Sequence, residues 1–460
     1  MSDSYHGKLI GPLILASLIY YISLSLGLNH ESSGTLFVAS TCALWWVLEP
    51  IPIAATSLFP LAMLPLLGIL NSSQLSMAYG HPLILLLMGG FMLSKALEKS
   101  NTHRRLALYM IRFFGKGSDR GLIGGFMIAS AILSMWISNT ATTLMLLPVA
   151  LAILDQSNSE HLTAPLLLGI AYSASLGGIG TPIGTPPNLI LMSAYSDSTG
   201  KTISFFQWAR WSIPVIVIVL PCMFFWLTRN IKSKQSFALP DNRLWTTKER
   251  RVLSIFVITA VAWITRAEPN GGWKEWLGIS LANDTSVAMA SVISLFAISD
   301  GEGGKLLDWK TACDIPWNVI LLFGGGIAIA KAFTTSGLSK EISQLIFVFG
   351  TFPTISMIAI LTLGVSFLTE LTSNTATTNL LMPILAAAAT AADIEPAILM
   401  VPAAMAASCA FMLPVATAPN TIVFGSQKIS IKSMFKEGLV LNFIAVSAII
   451  IVCHLLINAA

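Results

Sequence analysis

Ser-Asn-Thr-Ala-Thr-Thr at residues 138–143 recurs unchanged at residues 373–378. A proline follows both copies at the same distance, as Pro148 and Pro383. Identity over six consecutive residues is uncommon between unrelated segments of one chain. The repeat predicts two related halves, each carrying one copy.

Two further motifs repeat in the same order around this hexapeptide. Gly-Gly followed by Lys-Ala lies at residues 89–96 and again at 325–332. Pro-Ile-Gly-Thr-Pro-Pro-Asn at 182–188 is matched by Pro-Val-Ala-Thr-Ala-Pro-Asn at 414–420. The three motifs recur after 236, 235 and 232 positions, which is not plausibly chance. The duplication therefore extends over most of each half.

The composition is typical of a chain embedded in lipid. Of its 460 residues, 55% are hydrophobic and only 10% are charged, and the mean hydropathy is +0.76. Soluble domains carry about 25% charged residues, so this chain has too few polar side chains to cover a water-facing surface. The sequence shows no nucleophile–base pair, phosphate-binding loop or metal-ligand cluster. We therefore expect neither an enzyme nor a nucleic-acid-binding protein.

Apolar runs long enough to cross a bilayer recur along the whole chain. We predict an all-α polytopic membrane protein with about eleven transmembrane helices and two re-entrant hairpins, at residues 121–155 and 353–391. The predicted crossings lie near residues 9–28, 35–48, 51–70, 82–96, 164–194, 211–227, 252–264, 285–298, 317–332, 396–424 and 439–456.

The basic residues orient this arrangement in the membrane. The predicted arrangement of crossings and hairpins places 20 of the 26 Lys and Arg residues in loops on one side of the membrane and six on the other. Because cytoplasmic loops are enriched in Lys and Arg, we predict a cytoplasmic N-terminus and an external C-terminus. Treating either hairpin as a single crossing would remove the asymmetry, which favours the hairpin interpretation.

The duplication and the topology together predict inverted repeats. We divide the chain into an N-terminal helix at 1–34, a first repeat at 35–230, a cytoplasmic linker at 231–250 and a second repeat at 251–460. Each repeat holds five crossings and one hairpin, and an odd number of crossings inverts the second repeat. The first hairpin then enters from the cytoplasm and the second from outside, so their Ser-Asn-Thr tips should meet near the membrane midplane.

The repeated motifs carry chemistry suited to ions and anions. Glycines and prolines interrupt the crossings at 164–194 and 396–424, and prolines leave carbonyl oxygens without helical partners. Free carbonyls with Ser, Thr and Asn oxygens form a neutral cage suited to Na⁺, and half-helix N-termini attract carboxylates. Bound Na⁺ would supply the charge that a dianion requires. In the alternative interpretation, these polar residues only bond neighbouring helices.

Glu370 and residues 103–120 each have two structural interpretations. Glu370 lies just before the second hexapeptide, and an acid within the membrane is either functional or bonded to a backbone donor. Residues 103–120 mix basic with large apolar side chains. They predict either an amphipathic helix on the cytoplasmic surface or a solvated loop.

On both Ser-Asn-Thr motifs and both Pro-Asn breaks, the chain resembles the divalent anion:sodium symporters, the sodium–dicarboxylate cotransporters. The resemblance runs from about the second crossing to the C-terminus. It implies a bacterial inner-membrane homodimer with a scaffold domain and a moving transport domain in each protomer. It also implies an elevator-type motion, and substrates among succinate, malate, fumarate, citrate and sulfate.

The resemblance also implies site residues by position in this sequence. A first Na⁺ site would use Ser134, Ser138, Asn139 and the backbone near Gly184, and a second Thr369, Thr372, Asn374 and the backbone near Ala416. The substrate carboxylates would meet Asn139, Thr140, Thr185, Asn374, Thr375 and Thr417. Ala418 stands where the family commonly has proline, which bears on substrate preference.

The functional prediction is Na⁺-coupled import of C4 dicarboxylates, namely succinate, malate or fumarate, with Na⁺ as the coupling ion. The family also contains sodium-independent exchangers, so an exchanger and a sulfate or citrate carrier remain alternatives. A passive channel is disfavoured because no continuous polar helix face is present in the sequence.

Overall fold

The computed structural model describes residues 2–115, 118–157, 160–231, 244–268, 271–341 and 353–457. Regular secondary structure in these ranges is helical throughout, apart from one isolated bridge between Ser299 and Lys305. The predicted all-α class is confirmed. Most of the predicted linker, residues 232–243, lies outside the described residues.

The first half of the chain contains twelve helices in its described residues. They are α1 (Ser2–Ser25), α2 (His30–Leu48), α3 (Ile53–Thr56), α4 (Phe59–Leu66), α5 (Ser72–Tyr79), α6 (Pro82–Lys99), α7 (Thr102–Phe114), α8 (Asp119–Ser134), α9 (Asn139–Ser157), α10 (Glu160–Gly178), α11 (Pro186–Thr199) and α12 (Phe205–Thr228).

The second half contains ten helices in its described residues. Its helices are α13 (Thr247–Ile264), α14 (Gly272–Trp276), α15 (Asp284–Ala297), α16 (Trp309–Cys313), α17 (Trp317–Thr335), α18 (Thr354–Thr369), α19 (Asn374–Ala391), α20 (Ala397–Ser408), α21 (Ala418–Gly425) and α22 (Ile431–Leu456).

Five helical segments in the described residues are long and apolar enough to cross a membrane. They are His6–Ser25, Ser72–Lys99, Phe205–Thr228, Trp317–Thr335 and Ile431–Leu456. Other apolar helices are shorter, which is the form expected where crossings are broken or re-entrant. The number of crossings and their inversion between the halves remain predictions.

The predicted crossing at 51–70 is not one helix. The chain forms the single turn α3 and then the two-turn α4, which has Pro60 near its start and Pro65 inside. Proline is favoured at the first positions of a helix because it needs no N–H donor there. Pro60 therefore favours a new start rather than a continuation of α3.

Each predicted hairpin consists of two helices that meet at the repeated hexapeptide. α8 ends at Ser134 and α9 begins at Asn139, while α18 ends at Thr369 and α19 begins at Asn374. The crossings at 164–194 and 396–424 are each broken into two half-helices, α10 with α11 and α20 with α21. Thr185 and Thr417 precede the second half-helices in extended conformation.

The two halves interlock through these half-helices. α11 of the first half packs on α19 and α20 of the second, and α21 of the second half packs on α9 and α10 of the first. Each hairpin also packs against the broken helix of its own half, α8 on α10 and α18 on α20. This exchange brings all four breaks in the backbone to one region.

Residues 102–114 form the helix α7 rather than a loop, so the solvated-loop alternative is wrong. Tyr109 stacks on Trp245 with ring centroids 5.8 Å apart. Arg105 donates to Glu249 at 2.8 Å and lies over the same Trp245 ring. α7 is therefore attached to the start of α13 while Phe113 stays exposed. Its position at a membrane surface remains a prediction.

Replacing Gly177 by alanine should prevent α10 from packing on α8. A Cβ there would overlap the main-chain oxygen of Ala131 and lie 2.7 Å from its Cα. Neither atom can move without shifting a helix. We expect loss of most of the folded protein, measured as the monodisperse fraction after extraction and size-exclusion chromatography.

Gly364→Ala in α18 is the matched control for this substitution, because nothing lies within 4 Å of the added methyl. It should fold as well as the parent or slightly better, since alanine favours a helix over glycine by about 1 kcal/mol. Normal yield of both variants would contradict the packing argument.

Candidate functional site

A cavity of about 980 Å³ lies where the two hairpins and the two broken helices meet. Both repeated motifs line it, and so do both helix breaks. Of the predicted site residues, those on its wall are Ser138, Asn139, Thr140, Gly184, Thr185, Asn374, Thr375, Ala416 and Thr417. Residues up to 279 positions apart in the sequence, Ser138 and Thr417, thus share one space.

Four helices begin at this cavity. The first residues of α9, α11, α19 and α21 are Asn139, Pro186, Asn374 and Ala418, and all four line the wall. A helix N-terminus carries about half a positive charge. α11 contributes this dipole alone at its first two positions, because Pro186 and Pro187 have no N–H group. Four of them directed at one space provide a positive field without a basic side chain, which suits an anion with two carboxylates.

Three predicted Na⁺ ligands lie outside the cavity wall, and two of them contact an asparagine on it. The buried Ser134 hydroxyl donates to Asn139 Oδ1 at 2.5 Å. At the equivalent place in the second half, the buried Thr369 hydroxyl donates to Asn374 Oδ1 at 2.7 Å. The Thr372 hydroxyl instead donates to Leu368 O at 2.9 Å.

Main-chain oxygens complete the surroundings of the first asparagine. A Cβ on Gly184 would lie 2.5 Å from Gly178 O and 3.0 Å from Met135 O, and a Cβ on Gly178 would lie 2.7 Å from Asn139 Oδ1. A side chain at position 178 or 184 would overlap these oxygens, so only glycine at both positions allows them to lie this close together. Hydroxyl, amide and carbonyl oxygens in such proximity are the donor set that unwound transporter helices offer to Na⁺, so the residues present fit this ion.

Glu370 is bonded to the backbone and does not line the cavity. Its Oε1 accepts from Phe411 N at 2.8 Å and from Met412 N at 3.0 Å, and its Oε2 accepts from Leu413 N at 3.0 Å. Asn442 Nδ2 donates to Oε1 at 2.7 Å. The carboxylate therefore pairs the N–H groups that the break between α20 and α21 exposes, which favours the backbone-bonded interpretation.

The charged residues of the cavity wall belong to α6 and to the end of α16, and not to the Ser-Asn-Thr motifs or the helix breaks. Among the described lining residues they are Lys95, Glu98 and Asp314. Lys95 Nζ lies 3.0 Å from Glu98 Oε2 and 3.1 Å from Asp314 Oδ2. The lysine charge is thus matched within the wall, and the part formed by the motifs holds no charged side chain. Sequence reasoning missed this trio, although the Gly-Gly…Lys-Ala repeat contains Lys95.

Comparison with known proteins finds similarity over nearly the whole chain. Residues 43–401 match the family model CitMHS, described as "Citrate transporter". The sodium-dependent dicarboxylate transporter SdcS of Staphylococcus saprophyticus is 38% identical over 488 residues, covering 99% of this chain and 93% of the relative. The protein of the same name from Staphylococcus aureus strain RF122 / ET3-1 is 38% identical over 477 residues, covering 97% and 91%.

Two solved structures resemble the fold at low sequence identity. The YdaH transporter of Alcanivorax borkumensis is 13% identical with a TM-score of 0.61, covering 85% of this chain and 90% of that one. MtrF of Neisseria gonorrhoeae is 12% identical with a TM-score of 0.56, covering 83% and 82%. At this identity the likeness concerns the fold alone.

Proposed function

Because this chain belongs to the citrate transporter (CitMHS) family, we propose that it is a secondary transporter that moves small dicarboxylates together with Na⁺. Its relatives are named transporters, and the protein is a multi-pass membrane transporter rather than an enzyme. The resemblance to divalent anion:sodium symporters noted from the motifs is confirmed by this membership. Two relatives bear the name of sodium-dependent dicarboxylate transporters, which supports Na⁺ as the coupling ion.

The convergence of four helix N-termini and two hydroxyl–asparagine pairs on one cavity is the observation that carries this proposal. Helix dipoles alone favour an anion, but only by about 0.3–1 kcal/mol each at an exposed site. A dianion at the part of the wall formed by the motifs, where no basic side chain lies, needs more positive charge, which bound Na⁺ supplies. Sodium binding would then precede tight binding of the anion.

We assign one Na⁺ site to each half of the chain. The first Na⁺ site takes Ser134, Ser138, Asn139 and Gly184, and the second takes Thr369, Thr372, Asn374 and Ala416. The Thr372 hydroxyl donates its proton to Leu368 O, which leaves an oxygen lone pair free to bind Na⁺, as for the donating hydroxyls of Ser134 and Thr369. The substrate carboxylates would contact Asn139, Thr140, Thr185, Asn374, Thr375 and Thr417 at the helix N-termini.

The finer parts of the proposal concern substrate, motion and assembly. We propose C4 dicarboxylates as substrates, with succinate, malate and fumarate as the test set, and a homodimer that works by an elevator motion in the bacterial inner membrane. The N-terminus would be cytoplasmic and the C-terminus external. The packing of each hairpin against the broken helix of its own half supports a body that moves as one unit.

Purified protein in liposomes should accumulate labelled succinate when an inward Na⁺ gradient is imposed. An excess of Na⁺ charge over anion charge would let an inside-negative potential increase uptake, by roughly 2.3 kcal/mol of driving force per charge per 100 mV. The measurement is initial uptake with Na⁺ or K⁺ outside, with and without a valinomycin potential. Equal uptake in Na⁺ and K⁺ would refute sodium coupling.

The same liposomes discriminate the alternatives within the family. Competition of succinate uptake by malate, fumarate, citrate and sulfate ranks the anions, and the family description makes citrate the second candidate substrate. Counterflow of internal for external dicarboxylate without any Na⁺ dependence would identify an exchanger instead. Citrate uptake in excess of succinate uptake would replace the C4 assignment.

A further inference from the structure

Asn188 and Asn420 occupy equivalent places in the two helix breaks. Each is the third residue of its second half-helix, α11 or α21, and each side chain is fully buried. Asn188 Nδ2 donates to Gly178 O at 2.9 Å and to Thr181 O at 2.7 Å. Asn420 Nδ2 donates to Ala410 O at 3.3 Å and to Leu413 O at 3.0 Å. Both amides therefore hold main-chain carbonyls of the break that precedes them.

These partners fix the orientation of both amides. Carbonyl oxygens only accept hydrogen bonds, so Nδ2 must face them and Oδ1 must face away. Neither Oδ1 has a hydrogen-bond partner, although both atoms are buried, and they are the only such amide oxygens among the described residues. Buried acceptors in native proteins are normally paired. Because the same buried acceptor is unpartnered at the equivalent position of both halves, a shared binding role explains it better than a packing defect.

The amide of Asn188 is linked through Gly178 to the proposed cation site of the first half. Gly178 accepts from Asn188 Nδ2 through its carbonyl oxygen, and a Cβ built on Gly178 would lie 2.7 Å from Asn139 Oδ1. Gly178 is therefore a neighbour of both asparagines. In the second half, Leu413 is bonded through its carbonyl to Asn420 and through its N–H to Glu370, the residue that follows Thr369. Each unpartnered Oδ1 thus lies on an amide that is bonded to main-chain carbonyls of its own break.

We propose that Asn188 Oδ1 and Asn420 Oδ1 are sodium ligands, one for the cation site of each half. The inference rests on the proposed sodium coupling and adds to each site a ligand behind the cavity wall, outside the Ser-Asn-Thr motifs. Unwound helix segments supply oxygen ligands to Na⁺ in transporters built from inverted repeats. The two N–H bonds keep each amide rigid, so its oxygen is held ready for the ion without further ordering.

The test is Na⁺ binding to the purified protein, followed as the rise in thermal unfolding midpoint with Na⁺ at constant ionic strength in choline chloride. Ligand binding to the folded state raises the midpoint by mass action. Asn188→Ala and Asn420→Ala should raise the Na⁺ concentration of half effect by roughly 10–100-fold. Asn188→Asp and Asn420→Asp lose the donors but keep an oxygen, so their Na⁺ affinity should stay at or above that of the parent.

Asn379→Ala is the matched control. Asn379 is buried in α19, donates to Leu322 O at 3.2 Å and lies off the main cavity wall, so its removal should leave the Na⁺ response unchanged. An unchanged Na⁺ response in both alanine variants would overturn the proposal. So would equal weakening in the alanine and aspartate variants, because the amide would then act only as a donor.

Folding failure and failure of sodium coupling give separate results. If the alanine variants do not fold, the aspartate variants decide, since a ligand role retains Na⁺ affinity and a donor-only role loses it. If the parent protein shows no rise in midpoint with Na⁺ relative to choline, the proposed sodium coupling itself fails. A response in the parent with none of the expected differences rejects only the role of Asn188 and Asn420.

Discussion

Alanine at Asn139 or at Asn374 should reduce Na⁺-driven succinate uptake by at least about 100-fold while the protein remains folded. Each side chain is assigned both to a cation and to a substrate carboxylate. Hydrogen bonds to charged groups contribute roughly 1.5–3 kcal/mol each, so the loss of two such contacts accounts for a decrease of this size. Initial uptake in liposomes at saturating Na⁺ measures it.

The same substitutions should lower stability only moderately. Alanine at 139 deprives the buried Ser134 hydroxyl of its acceptor, and alanine at 374 takes one of two acceptors from Thr369. An unpaired buried group costs about 1–3 kcal/mol, so the first variant should unfold at the lower temperature. Elution as a monodisperse species and an unchanged far-ultraviolet circular dichroism spectrum would show that the fold persists.

Asn379→Ala is the matched control for the position 374 variant, because it removes a buried amide five residues further along the same helix, off the main cavity wall. Its uptake should stay within about twofold of the parent, a difference below 0.5 kcal/mol. Near-normal transport by both the Asn139 and Asn374 variants would refute the site assignment. A severe loss in the Asn379 variant would show that any buried amide in α19 is required.

The positions of the helix breaks could be predicted from the sequence because local rules determine them. Proline and glycine interrupt helices wherever they occur in such density, and the duplication indicated which interruptions belong together. The tips at 138–140 and 373–375, and the breaks at 182–188 and 414–420, consequently appear in the structure where they were expected. The same rule explains residues 51–70, where one crossing is predicted from the sequence but Pro60 and Pro65 accompany two short helices, α3 and α4.

Apart from the expected meeting of the two Ser-Asn-Thr tips, contacts between distant segments could not be predicted in this way. The packing of α11 on α19 and α20, and of α21 on α9 and α10, depends on the path of the whole chain. The convergence of four helix N-termini is a consequence of that path. The open amide oxygens of Asn188 and Asn420 depend on carbonyls seven to ten residues earlier, whose direction no sequence pattern gives.

The hydrogen-bond partners of Glu370 also come from a distant segment and could not be predicted from the sequence. Its donors lie 41 to 43 positions later along the chain, in main-chain N–H groups that every sequence contains. The sequence could therefore state that an acid in lipid needs a partner but could not name the partner. The equivalent position in the first half is Met135, whose main-chain oxygen accepts from the Thr181 hydroxyl. The two breaks are thus held by different means.

Replacing Glu370 by alanine should destabilise the protein by at least about 3 kcal/mol, because three main-chain N–H groups at the second break lose their acceptor and each such group costs about 1–3 kcal/mol when buried. Glu370→Gln should be similarly harmful, since its amide would direct a donor at other donors. The measurement is the unfolding midpoint in detergent, with uptake in liposomes recorded on the folded fraction.

Glu395→Gln is the control for the loss of a carboxylate as such. Glu395 is exposed and binds Tyr195 at 2.6 Å and Lys201 at 3.7 Å, and an exposed pair of this kind contributes about 0–1 kcal/mol. Its midpoint should therefore stay close to that of the parent. A parent-like midpoint in Glu370→Gln combined with weakened Na⁺ binding would contradict the backbone role. It would show instead that the charge of Glu370, rather than its hydrogen bonds, is what the second cation site requires.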